Sequence, residues 1–366
     1  HRALSEHKTL SISWSHYRSD VLNKTKESNM HSYRLESFGS LQGLKLIEEQ
    51  QPVPGRNQVL IKVRACSLNY RDLAILYGTG TLTPKAGLIP LSDGAGEVVA
   101  TGDSVGLFKK GDRVVGTFFP HWFGGARDAA AGRGTYGTQA DGWLTSYKVV
   151  DEESLVSVPD YLSWEQAATL PCAAVTAWNS LQQSRSVLPG ETVLTQGTGG
   201  VSLFAVQFAK IMGARVIALT SNDVKAQLLS ALGADHVINY RHYPEWSVKV
   251  RELTQGRGVD RIVEIGGPGT LNQSLLSAAP GGEIALLGFV AQGSASVDFM
   301  TLFKSGATVR PFSVGSREDF VAMNRALVKS QLQPVIDRVF EFEHAVEAWR
   351  YFESQQHTGK VVITMN

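Results

Sequence analysis

Cysteine is nearly absent from this chain: Cys66 and Cys172 are the only two in 366 residues. Two thiols cannot build a disulfide framework, so cystine-stapled secreted scaffolds are excluded and a reducing, cytoplasmic setting is expected. A charge excess is lacking as well, because 35 Lys and Arg against 34 Asp and Glu leave a formal net charge of +1. Nucleic acid and anionic membrane surfaces call for a basic excess, so neither is expected as the main partner. No apolar run approaches the ~20 residues that a membrane-spanning helix needs. Internal repeats and low-complexity tracts are missing too, and the length suffices for two domains with separate cores. A small molecule remains as the expected partner.

What is present is most informative between Val193 and Lys210. An apolar run, Val193 to Gln196, breaks at Gly197, Thr198, Gly199 and Gly200, then resumes from Val201 with helical spacing. The pattern predicts a strand, a tight turn and a helix, in which glycines let backbone N–H groups approach an anion at a positive helix end. A second strand, Arg215 to Thr220, follows. That context turns a glycine pair into a dinucleotide fingerprint. Ser202 stands where a third glycine is usual, and it is small enough for close helix-to-strand packing. The second strand ends in Thr220 rather than the Asp or Glu that an NAD ribose favours, and Ser221, Asn222 and Lys225 come next. Hydroxyls and an ammonium accept a 2′-phosphate that a carboxylate would repel, so NADP(H) is the expected cofactor. Tyr240 and Arg241, after the third strand, are placed to cover its adenine end. The alternative is that Ser221 and Lys225 only cap and solvate a helix over Lys225 to Leu232.

Periodicity divides the chain. Residues 1–29 read as an extension with no sustained apolar period; their serines and basic residues fit a mitochondrial presequence, but Glu6, Asp20 and Glu27 count against one. Residues 30–175 are β-rich, with strands predicted over Gln58 to Arg64, Gly96 to Thr101, Asp112 to Gly116 and Trp143 to Val150. Residues 176–312 alternate strand and helix, which predicts a doubly wound parallel sheet. The tail, 313–366, returns to strand character at Val335 to Phe342 and Lys360 to Thr364 and is expected to rejoin the first domain.

The chain resembles the medium-chain dehydrogenase/reductase superfamily over residues 30–366. The resemblance rests on Ser67 to Asp72 (SLNYRD), Asp93 to Val99 (DGAGEVV), Lys110 to Val114 (KGDRV), Leu170 to Trp178 (LPCAAVTAW), the Gly197 turn, and Thr358 to Ile363 (TGKVVI). It implies a GroES-like β-rich catalytic domain, a Rossmann cofactor domain and a homodimer paired through Gly282 to Leu287 and Ala307 to Arg310. Cofactor contacts are expected from Thr176, Gly197, Thr198, Gly199, Gly200, Val201, Ser221, Lys225, Tyr240, Gly288, Phe289 and Lys360. The motifs are similar to the zinc-independent quinone oxidoreductase and enoyl reductase branches. Asn69 stands where zinc alcohol dehydrogenases place their first catalytic Cys, and Ser92, followed by Asp93, stands where they place a His. Only Cys172 keeps a ligand. A catalytic zinc takes three protein ligands, and the four-cysteine structural lobe is missing, so no metal is expected; a makeshift site of His121, Asp93 and Cys172 is the alternative.

Without a metal, hydride transfer needs another group to stabilise charge on a substrate oxygen. Asn69, Tyr70 and His121 are the candidates. Each has a plainer role open to it: Asn69 bonding its turn, Tyr70 packing, His121 lying in a loop. Phe118, Phe119, Trp122, Phe123 and Trp178 suggest an aromatic cleft suited to an apolar enone, quinone or aryl carbonyl. Residues Gly124 to Gly142 read as a loop able to close over substrate. The expected activity is NADPH-dependent reduction of an activated C=C or a quinone. Carbonyl reduction or alcohol oxidation, and a non-redox cyclase or binding role on the same fold, are the alternatives.

Overall fold

The computed structural model describes residues 29–79, 83–129, 134–288, 290–291, 293 and 296–365. The expected extension, apart from Asn29, and Phe289 lie outside the described residues.

The chain opens with an antiparallel ribbon, β1 (Asn29–Leu35) on β2 (Leu44–Gln50). It continues as β3 (Gln58–Ser67), β4 (Asp93–Thr101), β5 (Arg113–Gly116), β6 (Tyr147–Asp151) and β7 (Leu155–Ser157). Strand β3 alternates with β-branched and small residues, is largely buried, and pairs antiparallel with both β4 and β6. Trp143, fully buried, holds this sheet together. A Cβ built on Gly94 would lie 2.5 Å from its ring and one on Gly116 2.2 Å away, so both positions must be glycine for the indole to fit.

The second unit contributes β8 (Thr192–Gln196), β9 (Arg215–Thr220), β10 (His236–Asn239), β11 (Val259–Glu264), β12 (Ala278–Leu286) and β13 (Thr308–Pro311). They form one parallel sheet in the order β10-β9-β8-β11-β12-β13. Every residue of β8 and of β11 is buried, as expected of central strands covered by helices on both faces. This is the doubly wound dinucleotide fold, whose strand order reverses between β8 and β11. The crevice at the carboxyl ends of those two strands is where such sheets take ligands.

The tail supplies β14 (Ile336–Glu341) and β15 (Lys360–Thr364), and β15 pairs antiparallel with β3, so the chain does return to its first sheet. One apolar cluster joins the two units: Ala65, Ala95 and Val115 of the first sheet share it with Val193, Val216 and Val263 of the second. Strand β12 lies between β11 and β13, so of the two strands expected to pair across a dimer axis only β13 has an open edge.

Candidate active site

The glycine turn is built as its sequence predicts. Gly197 follows β8 with φ at +74°, a conformation that L side chains rarely adopt. Gly199 is the N-cap of the helix Gly200–Ile211, no side chain caps that end, and a Cβ on Gly199 would meet nothing within 4 Å. The cap of this 12-residue helix is thus a bare backbone with no side chain of its own in the way, and the tail bridges to it at Gly359. Ser202 explains the missing third glycine: fully buried, it donates its hydroxyl proton to the Gln196 carbonyl at the end of β8, 2.5 Å away. Thr198 and Thr176 are buried beside this turn and Val201 is half-buried in the first turn of the helix. These groups fit the phosphates of a dinucleotide.

The returning tail presses on the same turn. Gly359 donates its N–H to the Thr198 carbonyl at 2.8 Å, and a Cβ on Gly200 would come within 2.6 Å of Lys360 Cδ. Lys360 was expected among the cofactor contacts, yet it is only 2% exposed and its ammonium turns toward the first sheet. Lys360 Nζ donates to the Leu68 carbonyl and to Asn69 Oδ1, each at 2.6 Å, and lies 3.9 Å from Asp93 Oδ2. Asp93, fully buried, also accepts from Ser92 Oγ at 2.7 Å and from the Cys172 N–H at 3.2 Å. Burial pushes the Cys172 thiol well above its ordinary range, with Asp93 adding to the effect, and burial holds the Lys360 ammonium below its ordinary value against the pull of Asp93.

Asn69 begins the helix Tyr70–Tyr77. Its backbone N–H donates to Asp72 Oδ2 at 2.8 Å, an N-terminal cap that holds the residue in place. Burial raises the Asp72 carboxyl to about 6, with Arg71 opposing. With Oδ1 engaged by Lys360, the Asn69 Nδ2 group is buried without a hydrogen-bond partner. An unsatisfied buried donor costs about 1–3 kcal/mol, and a ligand that accepts from it is one way to recover that cost.

The other expected donors are placed differently. Tyr70 is 38% exposed at the first position of its helix. His121 is exposed in the loop after β5, whereas Asn69 and Asp93 are buried and Cys172 is half-buried. Among the described residues no three His, Cys, Asp or Glu side chains come together as metal ligands, and the makeshift set of His121, Asp93 and Cys172 does not assemble. A lysine ammonium already set beside the Asp93 carboxylate does not fit a zinc centre.

Phe118, Phe119 and Trp122 are buried and pack edge to face on one another, Trp178 packs on Phe208, and Phe123 is 44% exposed. The expected aromatic lining is thus largely core. In the loop expected to close, Gly124 to Gly142, Arg71 donates to the Tyr136 carbonyl and to Thr135 and Thr138, and just before it the Trp122 and Phe123 carbonyls accept from the N–H groups of Arg317 and Glu318.

At the second strand Thr220 is 1% exposed and its hydroxyl is turned to the backbone of Asn222. The helix that follows runs Asp223–Ala231 with Asn222, not Ser221 or Lys225, as its cap. That frees Ser221, half-buried, and Lys225, whose Nζ donates to the His357 carbonyl at 3.0 Å. Tyr240 is 40% exposed, anchored through its N–H to the Thr220 carbonyl. Gly288 packs against the Ile265 backbone at the carboxyl end of β12.

One pair escaped the sequence reading. Glu264, fully buried at the end of β11, accepts hydrogen bonds from the N–H groups of Gly266 (2.9 Å) and Gly267 (2.8 Å), from Gln196 Nε2 (2.7 Å) and from the hydroxyls of Thr270 and Ser274. Gln196 ends β8, so this carboxylate ties together the two strands that flank the crevice and fixes the glycine loop after β11. The available signal was Glu264 between Val263 and Ile265, just before Gly266 and Gly267.

Comparison with known proteins agrees with this architecture. Residues 55–160 match the family described as alcohol dehydrogenase GroES-like domain and residues 200–329 the family described as zinc-binding dehydrogenase. A zinc-type alcohol dehydrogenase-like protein of Schizosaccharomyces pombe is 40% identical over 331 residues, 88% of this chain and 96% of that protein. The quinone oxidoreductase of Sus scrofa is 28% identical, covering 93% of this chain and 99% of that one. The crystal structure of a putative alcohol dehydrogenase from Sinorhizobium meliloti 1021 superposes with a TM-score of 0.87 at 36% identity, over 93% of this chain and all (100%) of the other. The chain belongs to the medium-chain dehydrogenase/reductase superfamily and is an oxidoreductase of that type, a GroES-like domain joined to a Rossmann domain. The superfamily binds a nicotinamide cofactor.

Proposed function

We propose that the protein is an NADPH-dependent, zinc-independent reductase of an activated C=C bond or a quinone. The observation that carries this reading is the Asn69 amide, whose Nδ2 is buried and unpartnered beside the dinucleotide turn. Bound there, a reduced nicotinamide supplies the hydride. The Gly199 turn and the N-terminus of the helix Gly200–Ile211 hold the pyrophosphate. Ser221, Lys225 and Tyr240 receive the 2′-phosphate, and Thr176 and Gly288 face the nicotinamide end. As hydride reaches the β-carbon of an enone, negative charge grows on the carbonyl oxygen, and Asn69 Nδ2 donates to that oxygen. The proton comes from solvent, with the exposed Tyr70, next to Asn69 in the chain, as the side chain proposed to pass it on. The internal ammonium beside Asp93 supports the metal-free reading.

The partner is a small apolar molecule and a second copy of the chain. The open edge of β13 and the exposed, stacked rings of Phe299 and Phe303, 71% and 72% exposed, support a homodimer. Two free cysteines and the absence of a membrane-length apolar helix among the described residues support a cytoplasmic setting.

The test is NADPH consumption with quinones, enones and aldehydes, repeated after exhaustive chelation. Turnover of quinones or enones that survives chelation and falls roughly 100-fold in Asn69→Ala supports the reading, on the scale of an oxyanion donor. Aldehyde-only turnover restored by zinc would replace it with alcohol dehydrogenase chemistry. A chain of single mass by light scattering at micromolar concentration refutes the dimer.

A further inference from the structure

An asparagine amide can be aimed two ways, because its oxygen and nitrogen ends are nearly the same size and exchange by a half-turn about the last bond. Beside Asn69 the choice is forced by chemistry. A lysine ammonium has three donors and no acceptor, so only the Oδ1 end of the amide can face Lys360 Nζ, and at 2.6 Å it does. A second donor of the ammonium goes to the Leu68 carbonyl at 2.6 Å, and the Asp93 carboxylate lies 3.9 Å away as an ion pair rather than a hydrogen-bond partner. The consequence falls on the other end of the amide: Nδ2 is driven to the opposite side, where it is buried with no partner.

The same lysine stem lies under the dinucleotide turn. Its Cδ would be 2.6 Å from a Cβ on Gly200, and the preceding Gly359 is bonded to Thr198 at 2.8 Å. Lys360 thus touches the turn with its methylenes and the amide with its head.

We propose that Lys360 is a positioning residue: it holds the Asn69 amide with its oxygen toward the ammonium and its N–H group toward the reacting centre, and it ties that aim to the nucleotide turn. The proposal rests on the reading of Asn69 as the donor to the substrate oxygen. Lys360 itself, buried on the far side of the amide, touches neither substrate nor cofactor.

The test is a double-mutant cycle with turnover, substrate KM and NADPH affinity measured for each protein: Lys360→Met, Lys360→Gln, Asn69→Ala and the combination of each lysine variant with Asn69→Ala. Methionine keeps the length and packing of the stem and removes the donor. Glutamine is one atom shorter and keeps an N–H. Losing the aim of an oxyanion-type donor lowers kcat by roughly 10- to 100-fold in Lys360→Met, with NADPH affinity within about 3-fold of the parent, and Lys360→Gln recovers part of the loss. In the Asn69→Ala background either lysine variant changes kcat by less than about 2-fold, because the residue acts only through the amide. Should Lys360→Met not fold, the Lys360→Gln cycle is read by the same criterion. Losses that multiply independently, or an NADPH affinity that weakens in step with kcat, overturn the proposal and leave Lys360 a cofactor contact. A parent-like kcat in Asn69→Ala refutes instead the donor role of Asn69, and the inference about Lys360 with it.

Discussion

Replacing Lys225 with Ala separates NADPH from NADH binding, and its size can be worked from the structure. In the resting chain Lys225 Nζ donates to the His357 carbonyl at 3.0 Å, while the N-cap of its helix is made by Asn222. Removing the side chain therefore leaves the helix start intact. A hydrogen bond between an ammonium and a phosphate is worth about 1.5–3 kcal/mol, and binding the phosphate forfeits a weaker bond to a neutral carbonyl. The net contribution is about 1–2 kcal/mol, or about a 5- to 30-fold rise in the NADPH dissociation constant of Lys225→Ala. NADH lacks the 2′-phosphate, and its affinity stays within about 2-fold. Quenching of the seven tryptophans during titration with each nucleotide, at one fixed ionic strength because the contact is screened, reads both constants. Equal weakening of the two nucleotides, no change in NADPH binding, or tighter NADH binding by the parent refutes the assignment of the 2′-phosphate to this corner.

Three further substitutions test the packing and the electrostatics of the first domain. Gly116→Ala places a methyl 2.2 Å from the ring of Trp143, which Gly94 blocks on another side, and should lower stability by about 3 kcal/mol, whereas Gly106→Ala, with nothing within 4 Å, should stay within about 0.5 kcal/mol in a urea titration; equal midpoints for the two would refute the packing argument. Burial lowers the amine of Lys148 to about 7 despite the raising influence of Asp141, so between that pH and its unfolded value near 10.5 the unfolded chain binds the extra proton and stability rises with pH. From pH 7 to 9 the parent should gain about 2 kcal/mol relative to Lys148→Met, and parallel stability curves for the two proteins would show that the amine does not titrate in this window.

The cofactor half of the site was legible because its information is local. A turn that needs a positive φ at Gly197 and a bare helix start at Gly199 leaves its mark within four residues, and the flanking apolar runs identify the strand and the helix. Most strands of the two larger sheets were legible for the same reason, through periodicity and turn residues, whereas β7 (Leu155–Ser157) was not expected and the strand expected from Trp143 begins only at Tyr147. Terms that depend on distant partners were not. Whether Thr220 or Ser221 faces the ribose is decided by which of them is buried under Asn222, and whether Lys225 is a cap or a free donor is decided by Asn222 taking the cap first. The aromatic residues between Phe118 and Trp122 look alike in sequence whether they line a cleft or fill a core. Here their mutual packing places most of them in the core.

The donor half of the site joins groups that the sequence holds far apart. Asn69 and Lys360 are 291 residues apart and Asp93 and Cys172 79 apart, and each motif alone has an ordinary structural explanation. What makes them a unit is charge. Asp93 is fully buried in the superfamily's metal neighbourhood, where Asn69 and Ser92 stand in place of two ligands, and a carboxylate left there alone would be strongly destabilising. The chain answers with its own cation: the tail brings Lys360 across from the last strand, and the ammonium compensates Asp93 while occupying the oxygen of Asn69. A buried carboxylate, a buried ammonium and an amide with one spent end thus follow from a single electrostatic requirement. The unspent end of the amide is the group that the proposed mechanism assigns to the substrate oxygen.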